Sequence, residues 1–174
     1  ISFTSCTATT LLAWGGHIAT ITYWGQTNSA ISISGSPYHT SLIEIDGSGG
    51  RQDRSLSADA VIFPGIVTIV KDAIPDSSQD FIFTTTGLTN FSLDDDLDST
   101  LSNTKVFSIS DFPSTGGDNA QNGSVQKTIT ESATPGWSLT DLVCNDSDGS
   151  VDLGTRTATL NVSEGENITC TFTN

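Results

Sequence analysis

The sequence is short and acidic, with 174 residues and a formal net charge of −14 that comes from 20 Asp and Glu against 6 Lys and Arg. Binding nucleic acid or an anionic membrane surface needs clustered Lys and Arg, so this balance argues against both as partners. No apolar run is long enough to span a bilayer, and no signal peptide is recognisable. The length suits one or two domains with a real core.

Residues 1–63 predict a β-rich first segment that ends at the turn signal Pro64-Gly65. Short strands are expected at 1–8, 11–14, 20–24, 42–45 and 58–63. These strands are too few for a stable sandwich. We therefore expect either a partial β-domain or a strand-donating segment that gains its missing strands from another chain, an arrangement that can also build fibres.

Residues 64–174 predict an antiparallel β-sandwich, so the whole chain is assigned to the all-β class. Short β-branched runs alternate with turn signals, and no amphipathic helical run of useful length occurs. Residues 111–122 lack apolar periodicity and predict an exposed loop. Strands are expected near 66–72, 81–86, 91–93, 105–109 and 125–131, followed by a three-stranded meander at 137–144, 155–162 and 167–173.

Polar side chains fall on the apolar faces of three of these strands. The side-chain period of two places Lys71 in line with two aliphatic residues, Glu131 in line with Ile129, and Asn174 in line with Phe172. A buried ammonium without a partner is very unfavourable, so such a lysine needs an explanation. The three strands thus offer a Lys, a Glu and an Asn to one core.

Two of the three cysteines lie in the predicted meander. A disulfide between Cys144 and Cys170 would constrain the unfolded chain by roughly 3 kcal/mol, and two buried free thiols are the alternative. Cys6 is left over as a free thiol, an intermolecular bond or the partner of an upstream cysteine. No Cys–His spacing fits a zinc site, and we expect no metal or cofactor.

Residues 65–174 resemble a prealbumin-like (transthyretin-like) domain of the Cna-B/SpaA type, which recurs as stalk units in bacterial adhesins and pilins. The resemblance is carried by residues 69–72, by 128–131 followed by Ala-Thr-Pro-Gly-Trp at 133–137, and by 170–174. In order and spacing these are similar to the family's lysine strand, its glutamate strand before a Pro-Gly-aromatic turn, and its terminal Asn strand. Residues 12–19, 33–39 and 52–57 resemble the end of a larger secreted β-domain that precedes such repeats, whose upstream part would lie outside this sequence.

The resemblance implies an intramolecular isopeptide bond between Lys71 and Asn174, assisted by Glu131. Burial disfavours a charged lysine, which leaves a neutral, nucleophilic amine. The same setting keeps Glu131 protonated, so that it polarises the Asn174 amide and moves protons as ammonia leaves. Two alternatives remain open, namely a buried Lys–Glu pair with Asn as hydrogen-bond partner, or three polar residues at strand ends in water.

The expected function is structural, as a stalk or fibre subunit of an extracellular, cell-surface protein that self-associates or attaches to the cell surface. An adhesin that binds a glycan or a host protein is the alternative. Nothing beyond self-cross-linking indicates an enzyme.

Weaker candidates are read as ordinary surface features. The acidic loops 94–98 and 145–152 could hold Ca²⁺, but neither fits an EF-hand, and solvated turns are favoured. His17 and His39, which could join Asp53 at a site, are interpreted as structural histidines. Sequons that could carry glycans occur at Asn90, Asn122, Asn145, Asn161 and Asn167.

Overall fold

The computed structural model describes residues 18–19, 24–25, 27–32, 38–43, 51–55, 63–96, 98–113 and 123–174. The chain divides into two compact units, Ile1–Val61 and Ile62–Asn174. The domain bounds expected from the sequence, 1–63 and 64–174, remain a prediction. Among the described residues, no helix has the length and apolarity needed to cross a membrane.

In the first unit, the described strands form one antiparallel pair, β1 (His39–Leu42) and β2 (Gln52–Ser55), and a 3₁₀ turn at Ala30–Ser32 precedes it. The strand expected at 42–45 was misplaced, since β1 ends at Leu42 and Ile43 is 72% exposed. The position of β1 is set by its pairing with β2, a strand that the sequence did not reveal, and not by the apolar run at 42–45. The strands expected at 1–8, 11–14, 20–24 and 58–63 lie wholly or almost wholly outside the described residues.

The described part of the second unit is a two-sheet β-sandwich, which confirms the predicted fold class. Its strands are β3 (Gly65–Asp72), β4 (Ser77–Thr86), β5 (Phe91–Asp95), β6 (Thr104–Ile109), β7 (Val125–Glu131), β8 (Asp141–Cys144), β9 (Ser150–Asp152), β10 (Thr157–Val162) and β11 (Asn167–Thr173). One sheet has the strand order β5-β4-β7-β10-β9 and the other β6-β3-β11-β8.

The core lies between the two sheets and is built mainly from alternate residues of the strands, except at the end of β5, where three consecutive residues are buried. β3 alternates buried and half-buried residues over its whole length, as expected for a strand with one face on a core. Three phenylalanines at the centre pack edge to face or stacked, with Phe83 against both Phe91 and Phe172. The fully buried apolar side chains include Val67, Ile69, Phe81, Phe83, Ile129, Leu160, Val162, Ile168 and Phe172.

Two strands that are far apart in the chain, β3 and β11, pair in parallel at the centre of one sheet. The other pairings in this unit's described residues are antiparallel. The predicted C-terminal meander was wrong, because β10 pairs with β7 in the opposite sheet while β8 pairs directly with β11. Alternating patterns fix which face of a strand is buried but not which neighbour it takes, so the sequence could not separate these two arrangements.

Part of the loop expected at 111–122 is not exposed. Phe112 is 3% exposed and belongs to the core. A Cβ added at Gly65 would lie 3.3 Å from the Phe112 ring and 2.5 Å from Val162, so the start of β3 is closely packed. One aromatic residue without periodicity gives no sequence signal for burial, and residues 114–122 lie outside the described part of the chain.

A disulfide joins Cys144 of β8 to Cys170 of β11, as predicted. The two residues are direct cross-strand partners, with Cα atoms 4.1 Å apart. Cys170 is fully buried, and Cys144 packs against the core beside it. The bond therefore fastens the last strand to the edge strand of its own sheet.

Removing this disulfide should weaken the fold by about 3.5 kcal/mol, since it closes a 26-residue loop in the unfolded chain. We expect the double variant Cys144→Ala/Cys170→Ala to show this loss in urea unfolding. A reductant should lower the wild-type midpoint similarly and leave the double variant unchanged. A wild-type midpoint that does not respond to complete reduction would contradict the prediction.

Candidate functional site

Lys71 lies at the end of β3 with its side chain in the core. It follows Val67 and Ile69 on the inward face, as the period of two predicted, and it is fully buried. Its Nζ donates to the backbone oxygens of Asp72 at 3.1 Å and Phe172 at 3.0 Å. These carbonyls, at the ends of two paired strands, give the amine polar contacts in an otherwise apolar place.

Glu131 reaches the same point from the opposite sheet. It is the last residue of β7, it shares the inward face with Ile129, and it is 2% exposed. Its backbone N–H donates to the Arg156 carbonyl, which fixes the end of β7. The carboxyl therefore enters the core from across the sandwich, facing the lysine.

Asn174 follows β11 directly and continues its buried face beyond Phe172. Its backbone is held on both sides, since its N–H donates to the Asp72 carbonyl at 3.0 Å and its own carbonyl accepts the Ile74 N–H at 2.9 Å. The residue is 9% exposed. The parallel register of β3 and β11 pairs Phe172 with Lys71, so Asn174 lies two residues beyond the position opposite the lysine.

The three predicted side chains meet in one contact cluster. Lys71 Nζ donates to Asn174 Oδ1 at 2.8 Å, and Asn174 Nδ2 donates to Glu131 Oε2 at 3.2 Å. Lys71 Nζ lies 3.8 Å from Glu131 Oε1, and this buried oxygen accepts no hydrogen bond from the described residues. The carboxyl thus spans the other two groups, with one oxygen toward the amine and one toward the amide nitrogen.

Aromatic rings close the cluster off from water, which sequence reasoning missed. The Phe81 ring centroid lies 4.1 Å from Lys71 Nζ, and Trp137 packs edge-on to Phe81 at 5.4 Å. A ring face attracts a cation, but it accepts no proton. No sequence signal shows which aromatic ring meets the lysine.

Burial moves both ionisable groups toward their neutral forms. Burial is the largest influence on the Lys71 pKa and lowers it, against a smaller opposite effect from Glu131. Burial likewise raises the pKa of Glu131, against the opposing charge of Lys71. Moving one proton from amine to carboxyl leaves two neutral partners, the protonation state that nucleophilic attack requires. One carboxylate beside an amine does not suit a metal ion.

Of the two histidine candidates, His39 lies in the described part of the first unit. His39 pairs with Asp53 across β1 and β2, at 2.9 Å between Nδ1 and Oδ2 and with both side chains nearly half exposed. A hydrogen bond from Ser41 is the main influence that lowers the pKa of Asp53. His17 lies outside the described residues. The arrangement is a surface hydrogen-bonded group in the first unit.

We predict that Lys71→Met makes stability depend on the ionisation of Glu131. The variant should lose about 3–5 kcal/mol at neutral pH, because it leaves a buried carboxylate unpaired. Burial raises the folded-state pKa of Glu131 above 4.5, the value for a free side chain. The variant therefore keeps its stability below pH 4.5, where the carboxyl is protonated in both states, and loses stability as the pH rises through the folded-state pKa.

The matched control is Lys71→Met/Glu131→Gln, which lacks the ionising group. Urea midpoints of the two variants should converge in acid and diverge toward alkaline pH, with the double variant the more stable. Parallel pH profiles for the two proteins would show that Glu131 does not ionise in a buried state.

One family model matches the chain, that of the prealbumin-like fold domain of the SpaA type, over residues 67–174. No curated protein and no solved structure matches it. The match covers β4 to β11, most of β3, and all three residues of the buried cluster. The two-sheet sandwich around that cluster agrees with the family's fold. The chain therefore belongs to the prealbumin-like fold domain family.

Proposed function

We propose that this protein is a structural domain of an extracellular bacterial surface protein or fibre, locked by an isopeptide bond between Lys71 and Asn174. The observation that supports it best is the contact of Lys71 Nζ with the Asn174 amide at 2.8 Å beside a buried Glu131. Membership of a SpaA-type family supports the surface role.

Proton transfer from the Lys71 ammonium to the Glu131 carboxylate leaves a neutral amine and a protonated carboxyl, from which the reaction begins. The amine lone pair attacks Cγ of Asn174 to form a tetrahedral intermediate. Glu131 Oε1 lies on the amine side and accepts the second proton that the nitrogen must lose. The carboxyl's first proton goes from Oε2 to Nδ2, 3.2 Å away, and the carbon–nitrogen bond to Nδ2 breaks.

Glu131 balances the protons of this reaction. The carboxyl gives one proton to the leaving nitrogen and receives one from the attacking nitrogen, so it ends protonated as it began. A primary amine and a primary amide become one secondary amide and one molecule of ammonia. The product contains no buried charge, which removes the burial penalty that the separate amine and carboxyl carry.

The bond would connect the first strand of the sandwich to the residue after its last strand. Together with the Cys144–Cys170 disulfide, it would link β3, β11 and β8 covalently, three of the four strands of their sheet. A disulfide of this kind persists in oxidising compartments, which supports an extracellular location. We propose fibre assembly or attachment to the cell surface as the use of such a unit, and no external substrate. The alternative role, an adhesin for a glycan or host protein, stays a prediction.

Tandem mass spectrometry of a proteolytic digest tests the bond directly. We expect a branched peptide that joins Lys71 to Asn174 and is one ammonia lighter than the two separate peptides. The Glu131→Gln variant should yield both peptides free, because the amide cannot exchange protons with the reacting groups.

Lys127→Met serves as the matched control. Lys127 is also a buried lysine, 5% exposed, but its Nζ donates to the Gly87 carbonyl and, among the described residues, makes no hydrogen bond to a side-chain amide. This variant should keep the branched peptide. Free Lys71 and Asn174 peptides from folded wild-type protein would refute the isopeptide bond.

Stretching single molecules of the full chain tests the mechanical role. The residues between Lys71 and Asn174, a separation of 103, should release no length in the wild type. Lys71→Met should release about 260 Å with the disulfide intact and about 350 Å after reduction, at roughly 3.4 Å per residue. Equal extensions in wild type and variant would mean that load passes through the non-covalent sandwich alone.

A further inference from the structure

The end of β5 and the loop that follows it carry a second polar cluster, unrelated to the lysine chemistry. A surface depression of about 350 Å³ lies here, lined by residues of the segment between Asp94 and Asn103. Asp94, Asp96 and Asp98 each place a carboxylate oxygen so that all three atoms lie within 4.8 Å of one another.

Asp94 is the unusual member of this cluster. It is 3% exposed, it lines the depression, and no hydrogen bond or ion pair from another described residue reaches its carboxylate. Its nearest charged neighbours among the described residues of the loop are the carboxylates of Asp96 and Asp98. Carboxylates this close repel one another, and a bound cation would offset that repulsion.

The other two carboxylates are oriented by their own loop. Asp96 Oδ1 accepts the Asp98 N–H at 2.9 Å, and Asp98 Oδ1 accepts both the N–H and the hydroxyl of Thr100 at 2.7 Å. These bonds use one oxygen of each residue. The second oxygen of each accepts no hydrogen bond from the described residues and remains available to a ligand.

A second acidic cluster in the same unit shows the contrast. Asp146, Asp148 and Glu166 also bring carboxylate oxygens within 4.8 Å of one another. There, however, Asp146 uses both oxygens on backbone N–H groups, those of Asp148 and Gly149 on one and that of Asn161 on the other. Backbone hydrogen bonds therefore already occupy both oxygens of Asp146, and this turn needs no ion.

We propose that Asp94, Asp96 and Asp98 bind one Ca²⁺. Calcium–oxygen distances of about 2.3–2.6 Å place opposite ligands roughly 5 Å apart, so one ion can touch three oxygens with the spacing seen here. Further ligands come from loop hydroxyls, carbonyls and water, as the irregular coordination of Ca²⁺ allows. The sequence favoured solvated turns at both acidic loops, and the buried Asp94 separates this loop from the other.

The site is connected to the strand that bears Lys71. Asp95 Oδ2 accepts the Ala73 N–H at 2.9 Å, and the Asn103 carbonyl accepts the Lys71 N–H at 2.8 Å. Asn103 Nδ2 donates to Asp95 Oδ1 at 3.3 Å, which closes the loop on itself. An ion that orders this loop would therefore also hold the end of β3 in place.

Isothermal titration of the full chain with CaCl₂ tests the proposal. We expect one Ca²⁺ per chain with a dissociation constant of about 10⁻⁴–10⁻³ M, the range of extracellular modules. Asp94→Asn and Asp98→Asn should each weaken binding by at least about tenfold, since each removes a ligand charge. Asp148→Asn, in the internally satisfied cluster, should bind like the wild type.

Asp98 is exposed, so Asp98→Asn keeps the test valid even if Asp94→Asn fails to fold. A wild type without saturable binding would overturn the proposal. So would wild-type affinity in Asp98→Asn, or an equal loss in Asp148→Asn, which would indicate general charge screening. Undiminished Ca²⁺ affinity in a tenfold excess of Mg²⁺ would support a calcium site, and full displacement would overturn that assignment.

Discussion

Burial of an amine and a carboxyl in one apolar interior constrains the second unit more than any other feature. Lys71 and Glu131 are both removed from water, and the Phe81 ring covers the amine, which leaves the pair only a few polar atoms to contact. Such a pair is a weak source of stability while it stays charged, because desolvation offsets the attraction. Chemistry that consumes the amine and keeps the carboxyl neutral removes this penalty.

The topology serves that constraint. A single sheet could place Lys71 beside Asn174 through the pairing of β3 with β11, but the carboxyl must come from the facing sheet to approach both groups from the other side. The cross-strand disulfide and the backbone bonds that hold Asn174 on both sides restrict the last strand, which keeps the amide within reach of the amine. Positioning of this kind contributes much of the rate in an intramolecular reaction.

Much of this site could be predicted from the sequence, because it depends on the alternation of side chains along each strand. The period of two on β3, β7 and β11 placed Lys71, Glu131 and Asn174 on buried faces, and turn signals gave the bounds of β7 and β11 to the residue. Long-range pairing has no such local signal, which is why the meander was wrong. The burial of Phe112 and of Asp94 also depends on segments that come together only in the fold.

Parallel pairing of β3 with β11 also sets where the polypeptide enters and leaves the sandwich. Antiparallel first and last strands would bring the chain back to the pole at which it entered. Here β3 begins at one pole and β11 finishes at the other, after seven residues that rise about 23 Å. Copies of such a unit joined in series would therefore follow one another head to tail, and each added copy would lengthen the array along the strand direction rather than fold it back.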